Sequence, residues 1–291
     1  LSKLKSPSIL KFIGYNINDF TKNPKPTIIT EFSPNGSLET IIEMQKRGLT
    51  PEKWTQTKQL ITIYGIASGM SYMHKNDILH RDLKPANIFY DEYLFPKIGD
   101  LGLSKEINSV TPDGMMPYQA GTPAFMSPEI IIKSKYCKES DVYAFGILLF
   151  QMMSLQIPYE GFNIFQVCNL VTSGKRPPLD NSIPKCYRQL IERCWLEKEA
   201  ERPTFEDIVN LLEKDDEFID DAVDENEFLD YVEYIKNNKK TKRFKSLTID
   251  LEELKRIQKN DSKLNIPFLE LNQFDKIKIL KRLDNFKIYG I

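Results

Sequence analysis

The 291 residues carry 40 basic and 41 acidic side chains, so no global field draws the chain to nucleic acid or an anionic membrane. A hydrophobic fraction of 41% beside 28% charged residues fits an ordinary soluble protein, with chain enough for one large domain or two small ones. Four cysteines without C-x-x-C spacing and only two histidines, His74 and His80, argue against a zinc site and for reduced thiols in a cytoplasmic setting.

The chain begins with Leu1 rather than Met, and its Lys-dotted start has no apolar signal core, so it reads as a processed product or a fragment. "TIITEF" (27–32) is short, β-branched and apolar, bounded by "KNPKP" before it and "SPNGS" after it, and predicts a strand followed by a turn. Ser37 predicts the N-cap of a short helix, "LETIIEMQKRG", that closes on Gly48. A longer helix is predicted over 50–76, with Thr50 as its cap and Pro51 in its first turn. Leu60, Ile63, Tyr64, Ala67 and Met70 form its core face.

Three short β-like pieces follow, "ILHRD", "NIFYD" and "PKIGD", and then a long polar loop (104–122). The most apolar run, "YAFGILLFQMM" (143–153), is far below the roughly 20 residues of a membrane span and reads as a buried helix that starts near Ser140. Further helices lead to "IERCWLEKEAERPTFEDIVNLLEK". The composition changes near residue 215: "DDEFIDDAVDENEFLD" holds nine acids and no base, and "KNNKKTKRFK" (236–245) six bases and no acid. This places one domain over 1–214 and an extension of unassigned role over 215–291.

The chemistry concentrates in "ILHRDLKPANIFYD" (78–91). Asp82 and Asn87 stand five apart across a Pro-containing loop, and Asp100 follows eighteen residues after Asp82. A carboxylate and an amide converging with a second carboxylate suit a hard, oxygen-seeking cation such as Mg²⁺. Lys84 would sit beside it as a compact cation for phosphate oxygens. An aspartate within reach of an acceptor hydroxyl works as a general base or orienting group. These residue types point to phosphoryl transfer.

"HRDLKPAN" resembles the catalytic loop of the eukaryotic protein kinases, H-R-D-L-x-x-x-N. "GDLGLSK" (99–105) resembles their D-F-G segment with Leu101 for Phe, and "GTPAFMSPE" (121–129) the end of their activation loop with Ser127 for Ala. "SDVYAFGILLFQMM" is similar to their central buried helix, and "RCWLEKEAERPTF" (193–205) to a late C-W…R-P-T-F element. Five motifs in order cover roughly residues 1–214.

The resemblance implies an α+β, protein-kinase-like fold: a mostly helical C-lobe with only the last strands of the N-lobe, plus a helical C-terminal extension. It implies ATP and Mg²⁺ as cofactors and Ser or Thr of protein substrates as acceptors. Asp82 would take the proton of the acceptor hydroxyl, Lys84 would face the transferred phosphoryl group, and Asn87 and Asp100 would hold Mg²⁺. Thr30 matches the gatekeeper position, Glu31 and Ser33 would offer hinge backbone groups to adenine, and Phe89 would lie beneath the base. Asp141 would brace the catalytic loop, and Glu129 with Arg202 resembles the family's buried ion pair. His80 reads as a packed structural histidine, since the loop already holds a better base. Arg81 would pair with a phosphorylated activation loop, with Ser104, Ser109, Thr111 and Thr122 as candidates, although Thr122 has a second reading in substrate positioning.

Lys84 within "DLKPAN" and the Thr122-Pro123 pair resemble serine/threonine kinases, whereas "PNGSLE" and "CW…RPTF" resemble the tyrosine-kinase-like branch; a Ser/Thr-specific member of that branch satisfies both. Neither a G-x-G-x-x-G turn nor a V-A-I-K lysine precedes residue 30. "SPSILKFIGYNIND" instead resembles the stretch after the small lobe's regulatory helix. The glycine-rich loop, the strand lysine and the helix glutamate are expected upstream of Leu1, leaving this polypeptide with impaired activity. The competing reading is a pseudokinase or scaffold, which retention of Asp82, Lys84, Asn87 and Asp100 together opposes. In the tail, "DDAVDENE" lacks the glycine of a calcium loop, the basic run reads as a solvated linker, and "NIPFLELNQFDKIKILKRLDNFKIYG" reads as a helix that packs on an unassigned surface.

Overall fold

The computed structural model describes residues 4–18, 24, 27–51, 53–106 and 122–238. Among the described residues, eight α-helices and six short strands are arranged around two long buried helices.

The N-terminal part is a hairpin of β1 (Phe12–Asn16) and β2 (Thr27–Thr30), antiparallel with Tyr15 opposite Ile28 and a bulge between Phe12 and Gly14. Helix α1 (Leu38–Lys46) starts at Ser37, whose hydroxyl accepts from the Thr40 amide at 3.4 Å, as its sequence predicts. Gly48 follows at φ +74°, a conformation glycine adopts without steric cost.

Helix α2 (Gln56–Lys75) begins later than Thr50 and Pro51 indicate. Thr55 is the cap, accepting from the Lys58 amide at 3.2 Å. The Trp54 amide instead bonds the Pro51 carbonyl at 2.8 Å, and the Trp54 ring packs edge-on against Tyr90 at 5.6 Å. Burying that indole closes a turn over 51–54, which overrides the equally good local cap chemistry at Thr50. The predicted core face is correct: Leu60, Ile63, Tyr64, Ala67 and Met70 are all buried. Ile61, Ile66 and Met73 are buried as well, because α2 is covered on nearly every side.

Strand β3 (Ile78–Leu79) leads into the stretch 80–87, and β4 (Ile88–Tyr90) and β5 (Pro96–Ile98) form the hairpin after it. The stretch read as a polar loop from 104 opens instead with β6 (Lys105–Glu106), paired antiparallel with β3; residues 107–121 lie outside the described residues. Helix α3 (Pro128–Lys133) precedes α4 (Lys138–Ser154), which starts two residues before Ser140, with the Ser140 hydroxyl accepting from the Cys137 amide at 3.3 Å. Helices α5 (Ile164–Thr172), α6 (Lys185–Cys194) and α7 (Phe205–Lys214) complete the body. Helix α4 packs on α6 and α2 on α7; Phe145 meets Phe205 at 5.3 Å and Phe150 meets Trp195 at 6.1 Å.

Helix α8 (Glu225–Asn237) lies beyond the composition change, yet Phe228, Tyr231 and Tyr234 enter the same core. Phe228 and Tyr231 pack edge-on against Tyr64. The strongly acidic surface of this segment hides a buried aromatic stripe. Most of the basic run and the whole apolar tail segment fall outside the described residues. No helix among the described residues is long and apolar enough to cross a membrane.

A Cβ on Gly65 of α2 would meet the Tyr231 hydroxyl and lie 2.5 Å from the Pro96 ring. Gly65→Ala is expected to cost about 1–3 kcal/mol by overpacking. A lower urea midpoint at unchanged slope is the expected signature, and an unchanged midpoint contradicts it.

Candidate active site

The stretch 80–87 is held from below by one carboxylate. Asp141, in the first turn of α4, accepts from the His80 amide at 3.0 Å and the Arg81 amide at 2.9 Å. Its Oδ2 also meets His74 Nε2 at 2.9 Å. Burial raises the Asp141 carboxyl, but the His74 hydrogen bond and charge, with His80, bring it below its ordinary value, so it serves as an ionised anchor. The first turn of a helix favours that charge. His74 is the residue sequence reasoning missed; only its place at the end of a helix leading into the loop hinted at it.

His80 is fully buried, and burial holds its imidazole below the ordinary value against the opposing pull of Asp141 and the Gly99 carbonyl. Its Nε2 faces that carbonyl at 3.1 Å, which only accepts, so Nε2 carries the proton. Nδ1 then accepts from the Asp82 amide at 3.3 Å. A neutral imidazole thus ties the Asp82 backbone to the residue before Asp100. Arg81 sits at φ +71°, a strained region for a side-chain-bearing residue. Its guanidinium lies over the Tyr136 ring at 4.9 Å, with Nε and one terminal nitrogen buried and without a hydrogen-bond partner among the described residues.

Asp82 is the centre of the polar cluster. Asn87 donates to its backbone oxygen at 2.7 Å and to Oδ2 at 3.0 Å, and Lys84 Nζ lies 2.7 Å from Oδ2. Thr122 donates to Oδ1 at 3.5 Å and accepts from Lys84 Nζ at 3.0 Å. Asp82, Lys84, Asn87 and Thr122 are therefore one connected group, although Thr122 lies about forty residues away along the chain. With its amide protons given to Asp82, Asn87 has its carbonyl oxygen left as an acceptor for a cation.

Beside this group lies a pocket of ≈ 310 Å³, at the small end of ligand-sized cavities. Ile9, Leu10, Phe89 and Leu101 give it apolar walls; Thr30, Asn87 and Asp100 supply polar groups. A Cβ on Gly99 would stand 2.7 Å from the Phe89 ring, so glycine there lets the aromatic wall approach. Asp100 is exposed, at φ +50°. Glu31 and Ser33 do not line this pocket. The Glu31 carboxylate accepts from the Lys11 amide at 3.0 Å and lies 3.4 Å from Lys97 Nζ, while its own amide donates to the Lys11 carbonyl.

Asp100 and Asn87 offer hard oxygen donors at the mouth of an apolar slot, which fits Mg²⁺ shared with phosphate oxygens better than a cation held by protein alone. Accordingly, among the described residues no cluster of three or more His, Cys, Asp or Glu could hold a metal by itself.

Glu129 and Arg202 form a bidentate pair at 2.8 and 3.0 Å, with side chains 2% and 0% exposed. Arg202 also donates to the Leu196, Glu139 and Glu197 carbonyls, and Ser140 donates to Glu129 at 2.7 Å. Of the residues considered for phosphorylation, Ser104 and Thr122 are described; Ser109 and Thr111 lie outside the described residues.

Residues 1–212 match the family described as protein tyrosine and serine/threonine kinase. A protein of Acanthamoeba polyphaga mimivirus named as a serine/threonine-protein kinase/receptor is 36% identical over 213 residues, 72% of this chain and 12% of its own length. A "probable serine/threonine-protein kinase" of Dictyostelium discoideum is 36% identical over 213 residues, 73% of this chain and 22% of its own. A serine/threonine-protein kinase of Arabidopsis thaliana is 32% identical over 219 residues, covering 74% of this chain and 35% of its own. The chain thus spans about an eighth to a third of the length of these relatives.

Proposed function

The chain belongs to the protein tyrosine and serine/threonine kinase family, and within it we propose that residues 1–214 are the larger part of a serine/threonine kinase domain of the tyrosine-kinase-like branch. Its α+β architecture, helix-rich with a few short strands, is that of this family's catalytic domain. The reaction is transfer of the γ-phosphoryl group of ATP to Ser or Thr of a protein substrate, in a cytoplasmic setting.

One observation carries the reading: Asp82, Lys84, Asn87 and Thr122 are joined by hydrogen bonds at the edge of a pocket that also holds Asp100. Asp82 orients the acceptor hydroxyl and takes its proton at a carboxylate oxygen. Lys84 presents its ammonium to the phosphoryl oxygens, and Thr122 keeps Lys84 and Asp82 in register with the incoming peptide. Asn87 and Asp100 would hold Mg²⁺, which when bound would neutralise charge on the phosphate oxygens. Thr30 and Phe89 bound the adenine slot; Glu31 and Ser33 follow just beyond its lining, and since the Glu31 amide is given to Lys11, its carbonyl is the hinge group it can offer. His80 and Asp141 keep the loop rigid, and the Arg81 nitrogens, without a hydrogen-bond partner among the described residues, are the docking point for an activation-loop phosphate. Glu129 and Arg202 brace the segment that follows Thr122.

The β1–β2 hairpin exposes Ile13, Tyr15 and Ile28, an apolar surface of the kind on which further strands of a small lobe pack. The chain carries neither a glycine-rich phosphate loop nor a strand lysine before residue 30. Phosphate incorporation into a Ser/Thr protein by the 291-residue chain with Mg·ATP is therefore expected far below the roughly 1–100 s⁻¹ of kinases. Turnover within that range would sink the claim that the remaining clamp matters, and phosphotyrosine as the sole product would overturn the acceptor class.

A further inference from the structure

Gly65 and Gly69 stand four residues apart on one face of α2 and open two adjoining notches. A Cβ at Gly69 would lie 2.7 Å from the Ile98 side chain and 3.0 Å from Ser8, and one at Gly65 would meet Tyr231 and Pro96. Strand β5, the segment at Ser8 and helix α8 therefore converge on α2 at a distance that only glycine permits.

From that junction the backbone runs directly into the pocket beside Asp82. The Ile98 amide donates to the Ser8 carbonyl at 2.7 Å, and the Leu10 amide donates to the Ile98 carbonyl at 2.8 Å. Ile9 and Leu10 are pocket walls, and Gly99 and Asp100 follow Ile98. Tyr231 fills the other side: it is fully buried, its ring is 4.6 Å from Phe95, the residue that leads into β5, and its hydroxyl sits in the Gly65 notch.

The rest of α8 is tied down at both ends. The Asp224 amide donates to Thr57 Oγ1 at 2.8 Å, and Glu227 meets the buried Lys58 ammonium at 2.7 Å. Lys58 also donates to the Tyr93 carbonyl at 3.0 Å and lies over the Phe95 ring at 4.8 Å. At the other end Lys236 pairs with Glu213 at 2.7 Å, which in turn accepts from the Tyr64 hydroxyl at 2.6 Å. An ammonium with three partners in a half-dry site costs more to undo than a surface pair.

We propose that α8, which lies beyond the family match over 1–212, is a built-in strut of the nucleotide pocket, with Tyr231 as the positioning residue that backs β5 and, through the Ile98 hydrogen bonds, the Ser8–Leu10 segment paired with it. The proposal rests on the kinase reading only for the identity of the pocket's ligand. Whatever displaces α8 then loosens the wall formed by Ile9 and Leu10 and the backbone that aims Asp100, which gives the C-terminal extension a route to nucleotide affinity.

Native-state hydrogen exchange on the intact 291-residue chain in low urea tests the coupling without any substitution. Leu10 and Ile98 amides are expected to exchange through the same sub-global opening as Tyr231 and Val232 of α8, with matching urea slopes. If α8 opens first and leaves Leu10 and Ile98 protected, the strut is refuted. Tyr231→Leu provides the second arm: exchange at Leu10 and Ile98 should rise roughly tenfold while Leu148 and Phe150 in α4 stay within about twofold. Its dissociation constant for Mg·ADP, read by calorimetry, should rise by about 2–30-fold. A uniform rise across all four amides would mark Tyr231 as ordinary core and overturn its positioning role. Mg·ADP binding that Asp100→Asn leaves unchanged would refute the kinase reading of this pocket, while the exchange data still decide the strut.

Discussion

Glu129→Gln is expected to destabilise the fold by about 3–5 kcal/mol, because it leaves the Arg202 guanidinium buried without a counter-charge. Glutamine keeps the size of the side chain, so the loss reports charge rather than a cavity. Burial works to raise the Glu129 carboxyl, but the Arg202 hydrogen bonds and charge, helped by Ser127 and Ser140, hold it down at about 2. A carboxyl whose folded value is depressed contributes stability above its unfolded value and loses that contribution as pH falls toward the folded one. The unsubstituted chain should therefore lose this increment between about pH 4.5 and about pH 2, and the glutamine variant should lack that acid limb. Urea midpoints at pH 7 and pH 3 check both statements, and equal midpoints for the two chains at pH 7 would contradict the first. Replacing both partners by well-packed apolar side chains should recover much of the loss, since the cost lies in the orphaned charge. The pair also joins the helix after Thr122 to the first turn of α4, through Ser140 and the Glu139 carbonyl. Its loss should accordingly loosen the segment that carries Thr122 before it unfolds the core.

How much of this was legible in the sequence follows from how local each determinant is. Asp82, Lys84 and Asn87 fall within six consecutive residues, so their convergence needs only a turn, and the structure joins them as that spacing indicates. Thr122 and the Glu129–Arg202 pair meet their partners across forty and seventy-three residues, and only the resemblance to a family linked them. Thr50 followed by Pro51 reads as the cap of α2, and Thr55 takes that place because Trp54 is buried against Tyr90, a contact the local sequence does not show. A helical extension is expected from the sequence, but the packing of α8 into the core was obscured: nine acidic residues over 215–230 dominate the composition, while Phe228, Tyr231 and Val232 supply a narrow buried stripe. Gly65 and Gly69 carry no signal of their own in the sequence, because their role depends on Tyr231, Pro96 and Ile98 filling the space they leave.

Asp82→Asn is expected to lower the rate of phosphate transfer by about 10²–10⁴-fold, the usual worth of a positioned proton acceptor. The geometry separates this loss from misfolding. Asn87 bonds the backbone oxygen of residue 82 at 2.7 Å and His80 Nδ1 accepts the amide at 3.3 Å, and neither contact uses the carboxylate. The loop should therefore keep its shape, and thermal unfolding should shift little. Asp82 does not line the pocket that holds Phe89, Thr30 and Asp100, so the dissociation constant for Mg·ATP should stay within about twofold. A matching loss of kcat and kcat/KM with unchanged nucleotide affinity is the signature of an interaction realised only on the way to transfer. Asp100→Asn makes the contrast, since that carboxylate faces the pocket and its loss should appear first as a raised Mg²⁺ requirement. If Asp82→Asn instead weakened Mg·ATP binding and left the maximal rate intact, Asp82 would be a nucleotide ligand and the proton would have to leave by another group. Lys84 cannot be that group while it remains an ammonium 2.7 Å from Asp82, and His80 has already committed Nε2–H to Gly99 and Nδ1 to the Asp82 amide. The loop offers one acceptor free to receive a proton from a hydroxyl, and the substitution removes it.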